Sequence, residues 1–79
     1  MPVLIMLSTT LRRAVAGYDP AQGISLAWDG PMTTRQLAEK IGLPADEIKI
    51  VMLNGRHTDL KQTVNDNDRV SYFPAVGGG

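Results

Sequence analysis

The chain has 79 residues, no cysteine and one histidine, which suits a single small domain and argues against a disulfide framework or a zinc cluster. Eight basic and eight acidic side chains give a formal net charge of zero, so there is no basic field for a nucleic acid. The apolar run at residues 3–7 is too short to span a membrane and does not follow a basic segment. We therefore expect a cytoplasmic protein that contacts neither membrane nor nucleic acid.

Two short strands are predicted in the first third of the chain. Residues 3–7 form an apolar run without a helix cap, which favours a strand with its odd-numbered side chains facing inward. Glycine and Asp-Pro turn signals follow, and residues 9–16 fit either the end of a strand or one helical turn. Residues 24–28 alternate, which predicts a second strand with its even-numbered side chains, Trp28 included, on one face.

A single helix is predicted over residues 34–41. Thr33 is a suitable N-cap, and Gln36 completes a capping box three residues later. Gly42 stands where a left-handed C-terminal cap is expected, and Pro44 prevents the helix from continuing. A helix of this length depends on packing against a sheet for its stability.

The least polar stretch, residues 48–53, is predicted to be a strand. Val51 and Leu53 are assigned to the inner face and Ile50 and Met52 to the outer face, although the alternation is not clean. Ile50 and Met52 therefore have two interpretations, as core residues or as an exposed apolar patch.

The remaining segments predict a hairpin and a final strand. Asn54-Gly55 is a turn signal, and residues 57–60 fit a short edge strand. Asn67 is expected to accept a positive φ in the turn that precedes the strand at residues 69–73. Pro74 ends regular pairing or places it at an edge.

This order of elements predicts an α+β fold of the β-grasp type. One short helix would pack on one face of a mixed sheet of four to five strands. The domain is expected to span residues 1–76, followed by a flexible glycine tail at residues 77–79.

Three segments resemble the sulfur-carrier branch of the ubiquitin-like proteins. Leu11-Arg12 with a later Gly17 forms the first segment, and Leu53-Asn54 with the run Val-Asn-Asp-Asn-Asp-Arg-Val at residues 64–70 forms the second. The third is Tyr-Phe-Pro-Ala-Val-Gly-Gly-Gly at residues 72–79, which aligns without gaps on the family's ending. The resemblance is closest to the small subunit of molybdopterin synthase and extends to the thiamin-pathway sulfur carrier. Departures from the family pattern are Arg13, Asn67, Ala75 and Gly77.

The resemblance implies chemistry at the carboxylate of Gly79. An E1-like enzyme would use ATP to adenylate this carboxylate, and a persulfide would convert it to a thiocarboxylate that donates sulfur in cofactor biosynthesis. Gly78 and Gly79 lack a Cβ, so their backbone can enter the active sites of partner enzymes. The chain would then be a protein cosubstrate rather than an enzyme, with no cofactor bound. No side chain of this cysteine-free chain can carry the sulfur as a persulfide.

The resemblance also implies two protein partners, an E1-like adenylating enzyme and the large subunit of molybdopterin synthase or an equivalent sulfur acceptor. The residues expected to contact them are Ile50, Met52, Phe73, Pro74, Val76 and Gly77. Leu4 or Met6 would extend this surface, and His57 would lie at its rim. Phe73 retains a second interpretation as a core residue.

Two other functions fit the same sequence. A ubiquitin-like modifier would be joined to lysines of other proteins through Gly79 after the same activation. A passive β-grasp interaction module would not need the glycine tail at all. The pathway that receives the sulfur is left open between molybdenum or tungsten cofactor, thiamin and other routes.

Overall fold

The computed structural model describes residues 2–75, which form seven strands, one α-helix and two short 3-10 helices. The strands are β1 (Pro2–Leu7), β2 (Ile24–Ala27), β3 (Met32–Thr33), β4 (Ile48–Leu53), β5 (Arg56–Thr58), β6 (Thr63–Val64) and β7 (Arg69–Pro74). The α-helix α1 spans Thr34–Lys40, and the 3-10 helices span Thr9–Arg13 and Ala45–Glu47. Val76 and the predicted tail at residues 77–79 lie outside the described residues.

Five strands form one mixed sheet in the order β2-β1-β7-β4-β5, which confirms the predicted β-grasp architecture. β1 and β7 pair in parallel at the centre, and the other pairs in this sheet are antiparallel. The helix packs on one face of the sheet, and its Leu37 and Ala38 belong to the same buried cluster as the inward side chains of β1 and β7.

The core follows the alternation of β1 and β7. Val3 and Ile5 are fully buried and Leu7 is 2% exposed, as the sequence predicts. Val70 and Tyr72 are also fully buried, and the parallel register places Val70 opposite Ile5 and Tyr72 opposite Leu7. One face of the two central strands is therefore fully covered, which fixes their register.

The capping box predicted for the helix is present. The Thr33 side chain accepts a hydrogen bond from the Gln36 backbone N–H at 3.1 Å, and the Gln36 side chain accepts one from the Thr33 N–H at 2.9 Å. Gly42 follows the C-cap with φ +83°, which confirms the left-handed cap. The helix ends at Lys40 with Ile41 as its C-cap, within one residue of the prediction.

An irregularity in β4 explains why its alternation is not clean. Ile50 pairs with Phe73 of β7, but Ile48 pairs with Pro74, so Lys49 is an additional residue on this strand. A bulge of this kind changes the direction of the side chains before it. Ile48 consequently packs against the core, on the same side of the sheet as Val51.

Residues 9–16, for which two conformations were predicted, begin with the 3-10 helix Thr9–Arg13. Its Leu11 is 2% exposed and joins the core. Tyr18 holds the end of β1 in place, because its hydroxyl accepts a hydrogen bond from the Leu7 N–H at 2.8 Å and donates one to the Leu7 carbonyl at 3.3 Å. Arg12 also donates to this carbonyl through Nε, at 3.0 Å.

A second, two-stranded sheet was not predicted. β3 pairs with β6, with Met32 opposite Val64, and two-residue strands are too short to produce a detectable period. The predicted strand at residues 24–28 ends at Ala27, and Trp28 instead donates from Nε1 to the Val64 carbonyl at 3.2 Å. Trp28 packs against the core while joining the two sheets.

The predicted turns have the expected backbone conformations. Asn54 and Gly55 have φ values of +52° and +83°, as a two-residue hairpin turn between β4 and β5 requires. Asn67 has φ +70°, which confirms its predicted left-handed conformation before β7. β5 is the edge strand expected after this hairpin, but it spans Arg56–Thr58 and therefore begins one residue earlier and ends two residues earlier than the predicted range.

Candidate functional site

The last described strand, β7, lies in the middle of the five-stranded sheet. β7 lies between β1 and β4, and its last residue, Pro74, is buried and pairs with Ile48. Ala75 is exposed and is the last described residue. The predicted reacting residues Gly78 and Gly79, and the predicted contact residues Val76 and Gly77, follow it outside the described part of the chain. A strand paired on both sides gives the following segment a fixed point of departure.

A groove of about 420 Å³ lies at this point of departure, and we call it the tail-root groove. Its lining residues are Thr10, Leu11, Arg13, Ala14, Glu47, Pro74 and Ala75. The first 3-10 helix contributes one wall, and Ser8 connects this region to β7 through a 3.2 Å hydrogen bond from its N–H to the Tyr72 carbonyl. The groove carries one cation, Arg13, and one carboxylate, Glu47. The sequence does not predict this pairing of a 3-10 helix with the strand end, because the contact is tertiary.

The face of the five-stranded sheet opposite the helix carries an apolar surface, which we call the outer apolar face. Its members are Leu4, Met6, Ile50, Met52 and Phe73, all partly exposed. None of them belongs to the core cluster or to the partly buried residues packed against it. Apolar side chains grouped on an exposed sheet face are typical of a protein–protein contact surface.

The strand register brings the central members of this face together. Ile50 is paired with Phe73, and Ser71 is flanked by Met6 on β1 and Met52 on β4. The structure therefore selects the patch interpretation of Ile50 and Met52 over the core interpretation and places Phe73 on the same surface. Their predicted role in partner binding stays a prediction.

Two further residues predicted for the contact surface, His57 and Pro74, do not lie within the outer apolar face itself. His57 is exposed and pairs with Met52, which places it at the edge of the outer apolar face as expected. Pro74 is buried at the end of β7 beside Ile48, so it belongs to the tail root and not to the outer apolar face.

The described residues offer little for acid–base or metal chemistry. Within residues 2–75 no group of three or more His, Asp or Glu side chains could hold a metal ion. Burial raises the pKa of the Tyr72 hydroxyl, which donates to the Thr34 carbonyl at 2.6 Å inside the core. Tyr72 is thus a structural residue. In the same part of the chain, no helix has the length and apolar content to cross a membrane.

A mixed sheet whose first and last strands pair in parallel, with one capped helix on one face, defines the ubiquitin-like β-grasp class. The solved structure of SAMP1 from Haloferax volcanii has this fold, with a TM-score of 0.68 over 100% of both chains at 20% identity. The chain matches the family described as Mut7-C ubiquitin over residues 2–77, and it belongs to that family. No curated protein matches it. The predicted ubiquitin-like resemblance is confirmed.

Proposed function

We propose that this protein is a sulfur carrier whose Gly79 carboxylate is adenylated by an E1-like enzyme and converted to a thiocarboxylate. The observation that carries the proposal is the position of the glycines at residues 77–79, which begin three residues after Pro74, the last residue of the central strand β7. A short glycine segment attached to a fixed strand can extend about 3.5 Å per residue into a partner's active site.

Each step of this chemistry has a defined reactant. The Gly79 carboxylate attacks ATP and forms an acyl-adenylate with release of pyrophosphate. A persulfide on a partner then displaces AMP to give an acyl disulfide. A second thiol of the partner attacks the partner's sulfur in this bond, so that a disulfide forms on the partner and the thiocarboxylate is released. ATP is used by the activating enzyme, so the carrier needs no bound cofactor and acts as a protein cosubstrate.

The composition supports a carrier that holds sulfur at its terminus. The chain has no cysteine, so no side chain can form a persulfide. The described residues also lack a metal-binding cluster that could hold a sulfide. The terminal carboxylate is the group that an adenylating enzyme can activate.

We further propose that the outer apolar face docks the partners. Ile50, Met52 and Phe73 are adjacent through the strand register, and Phe73 lies on the strand that leads into the tail. A partner that covers this face would receive the tail next to it. The proposed partners are a cytoplasmic E1-like enzyme and the large subunit of a molybdopterin synthase, with this chain as the small subunit.

Intact-mass measurement tests the sulfur-carrier proposal. The protein would be incubated with the adenylating enzyme of its host, ATP and a persulfide donor. The expected product is heavier than the starting protein by the mass difference between sulfur and oxygen. Protein from the host would first be weighed to establish that Gly79 is its mature C-terminus.

A matched control is the variant that lacks Gly79. It keeps residues 2–75 unchanged, and it should remain at its starting mass because its shorter tail does not place the carboxylate correctly. A full-length protein that also stays at its starting mass would contradict the sulfur-carrier proposal.

A ubiquitin-like modifier is the second candidate, supported by membership of a family described as a ubiquitin. It would use the same adenylation of Gly79 but end in an isopeptide bond with a lysine of a target protein. Mass spectrometry of tryptic peptides from the host distinguishes the two, because conjugation leaves glycine remnants on target lysines. Loss of all cellular function on deletion of the tail would in turn exclude a passive interaction module.

A further inference from the structure

A cleft with an apolar floor and a basic rim lies on the helix side of β4, away from the outer apolar face, and we call it the basic cleft. Its floor consists of Ile48, Val51 and Leu60, and its rim carries three cations, Arg35, Lys49 and Lys61, and one carboxylate, Asp59. The cavity volume is about 530 Å³, which lies within the range of binding pockets for small ligands and peptide side chains.

The wall of the basic cleft is held by hydrogen bonds to the start of α1. The Thr34 hydroxyl donates to the Asp59 carbonyl at 2.6 Å, and the Thr34 N–H donates to the Gln62 carbonyl at 2.9 Å. The Arg35 N–H donates to the Leu60 carbonyl at 3.1 Å. These contacts fix the segment after β5 against the helix, so the cleft is formed before any partner arrives.

The positive charge of the rim is only partly compensated. Arg35 forms an exposed ion pair with Glu39 at 3.4 Å. The Asp59 carboxylate accepts a hydrogen bond from the backbone N–H of Lys61 at 2.8 Å, not from its ammonium group. The side-chain ammonium groups of Lys49 and Lys61 form neither ion pairs nor hydrogen bonds with residues 2–75. The cleft is therefore a basic site on a chain whose formal net charge is zero.

The bulge in β4 brings the charge and the apolar floor together. Because Lys49 is the additional residue in the pairing of β4 with β7, Ile48 turns toward the core side while Lys49 remains exposed beside it. Bulges often redirect side chains at functional surfaces. A regular strand would have placed Ile48 on the opposite face from Val51.

We propose that the basic cleft binds an extended acidic peptide segment of a partner protein, with an apolar side chain on the floor and carboxylates beside Lys49 and Lys61. Charge complementarity selects this occupant, since an apolar floor flanked by uncompensated ammonium groups fits an apolar anchor between acidic residues. Ile50 and Val51 face opposite sides of β4, so a partner in the cleft leaves the outer apolar face accessible. This site is additional to the proposed function and does not depend on sulfur transfer.

The test uses the full-length protein and a short synthetic peptide in which a leucine is flanked on both sides by aspartates. Amide NMR shifts on titration should concentrate at Val51, Leu60 and Lys61. A peptide with serine in place of the leucine should bind more weakly, and one with lysines in place of the aspartates should not bind. Binding of the aspartate peptide should also weaken as salt is raised, because the ion pairs are solvent-exposed.

Charge-reversal variants complete the test. Lys49→Glu combined with Lys61→Glu should weaken peptide binding about tenfold or more, since two exposed attractions become repulsions. Arg69→Glu changes an exposed cation at the opposite end of the sheet, and it should bind within about twofold of the wild type. Both variants replace exposed residues, and their NMR spectra report whether the fold is intact.

Three results would overturn the proposal. One is equal binding of the leucine and serine peptides, which would indicate only general charge attraction. Another is a shift pattern centred on the outer apolar face or the tail-root groove. The third is unchanged affinity in the lysine double variant with an intact fold.

Discussion

Tyr72 connects the centre of the sheet to the start of the helix. Its side chain is fully buried, and its hydroxyl donates to the Thr34 carbonyl at 2.6 Å. Thr34 in turn donates through its own hydroxyl to Asp59. Two hydroxyls in series, those of Tyr72 and Thr34, therefore link β7, α1 and the segment that forms the wall of the basic cleft.

Removing this hydroxyl should destabilise the protein at neutral pH. Tyr72→Phe keeps the ring in the core but loses one buried hydrogen bond, and we expect a decrease of about 1 kcal/mol in the free energy of unfolding. Urea denaturation at pH 7 measures it. Tyr18→Phe, which removes the half-buried hydroxyl at the end of β1, provides a comparison at a less buried site.

The same variant gives a pH dependence with a definite sign. Burial raises the pKa of the Tyr72 hydroxyl above its ordinary value of 10.0, so the unfolded chain loses this proton first as the pH rises. The stabilisation is fully present below pH 10 and decreases above it. The stability difference between wild type and Tyr72→Phe should then fall by about 1.4 kcal/mol per pH unit. If the free energies of unfolding of wild type and Tyr72→Phe change in parallel above pH 10, the raised pKa of Tyr72 is contradicted.

Residue 23 must be glycine for two reasons, its positive φ and its close contact with residues of β1. It has φ +73°, and a Cβ built there would contact the Met6 sulfur and lie 2.6 Å from the Ile5 carbonyl oxygen. Gly23→Ala should cost about 3 kcal/mol or more, because the strained backbone and a steric overlap add. Gly17→Ala is a matched control with φ +76° and open space around the Cβ, and should cost about 1–2 kcal/mol. If the two variants have equal free energies of unfolding, steric overlap of the added Cβ does not contribute to the cost of Gly23→Ala.

At the scale of elements, the helix is stabilised at its start by the capping box. Thr33→Ala removes the hydroxyl that accepts from the Gln36 N–H, and should lower the free energy of unfolding by about 1 kcal/mol. Thr33→Ser keeps an accepting hydroxyl and should retain most of this stability. Thermal unfolding followed by circular dichroism compares the two. If Thr33→Ser and Thr33→Ala lower the free energy of unfolding equally, the loss comes from the methyl group of threonine and not from the capping hydroxyl.

Elements with local signals could be predicted from the sequence. The capping box needs residues three apart, and the alternation of β1 needs residues two apart, so both are readable without tertiary information. The β3–β6 pair could not be predicted, because Met32 and Val64 meet only after the chain folds. The bulge at Lys49 is equally hidden, since it is a mismatch between β4 and β7 rather than a property of either strand.

The candidate site was predicted less completely than the fold. The sequence predicts that Ile50, Met52 and Phe73 form one contact surface but leaves a core interpretation open for each, and the strand register and burial decide for the exposed face. Arg13 and Glu47 of the tail-root groove carry no local signal of their proximity to Pro74. The role of Gly79 rests on resemblance, and that residue lies outside the described part of the chain.

At the scale of the whole molecule, the sheet separates two kinds of apolar surface. The face toward α1 is sealed by the core, whereas the opposite face exposes apolar side chains without a covering element among residues 2–75. Stability therefore depends on the inner face, and the outer apolar face can be altered with little effect on folding. Two adjacent residues of β4, Ile50 and Val51, occupy these two faces and allow a direct comparison.

Glutamate should have different consequences at these two positions, a large loss of stability at Val51 and weaker partner docking at Ile50. Val51 is 3% exposed, and Val51→Glu should cost about 4 kcal/mol because a carboxylate would be buried without a partner. Ile50→Glu should cost only about 1 kcal/mol, since its side chain is partly exposed and a carboxylate there can reach water. Under the proposed function, Ile50→Glu should keep a folded NMR spectrum yet slow the mass shift produced by the adenylating enzyme, because the carboxylate disrupts apolar docking. Similar unfolding free energies for both variants would contradict the face assignment. A folded Ile50→Glu protein that reacts at the wild-type rate would instead exclude this part of the outer apolar face from docking, while leaving the chemistry at Gly79 unaffected.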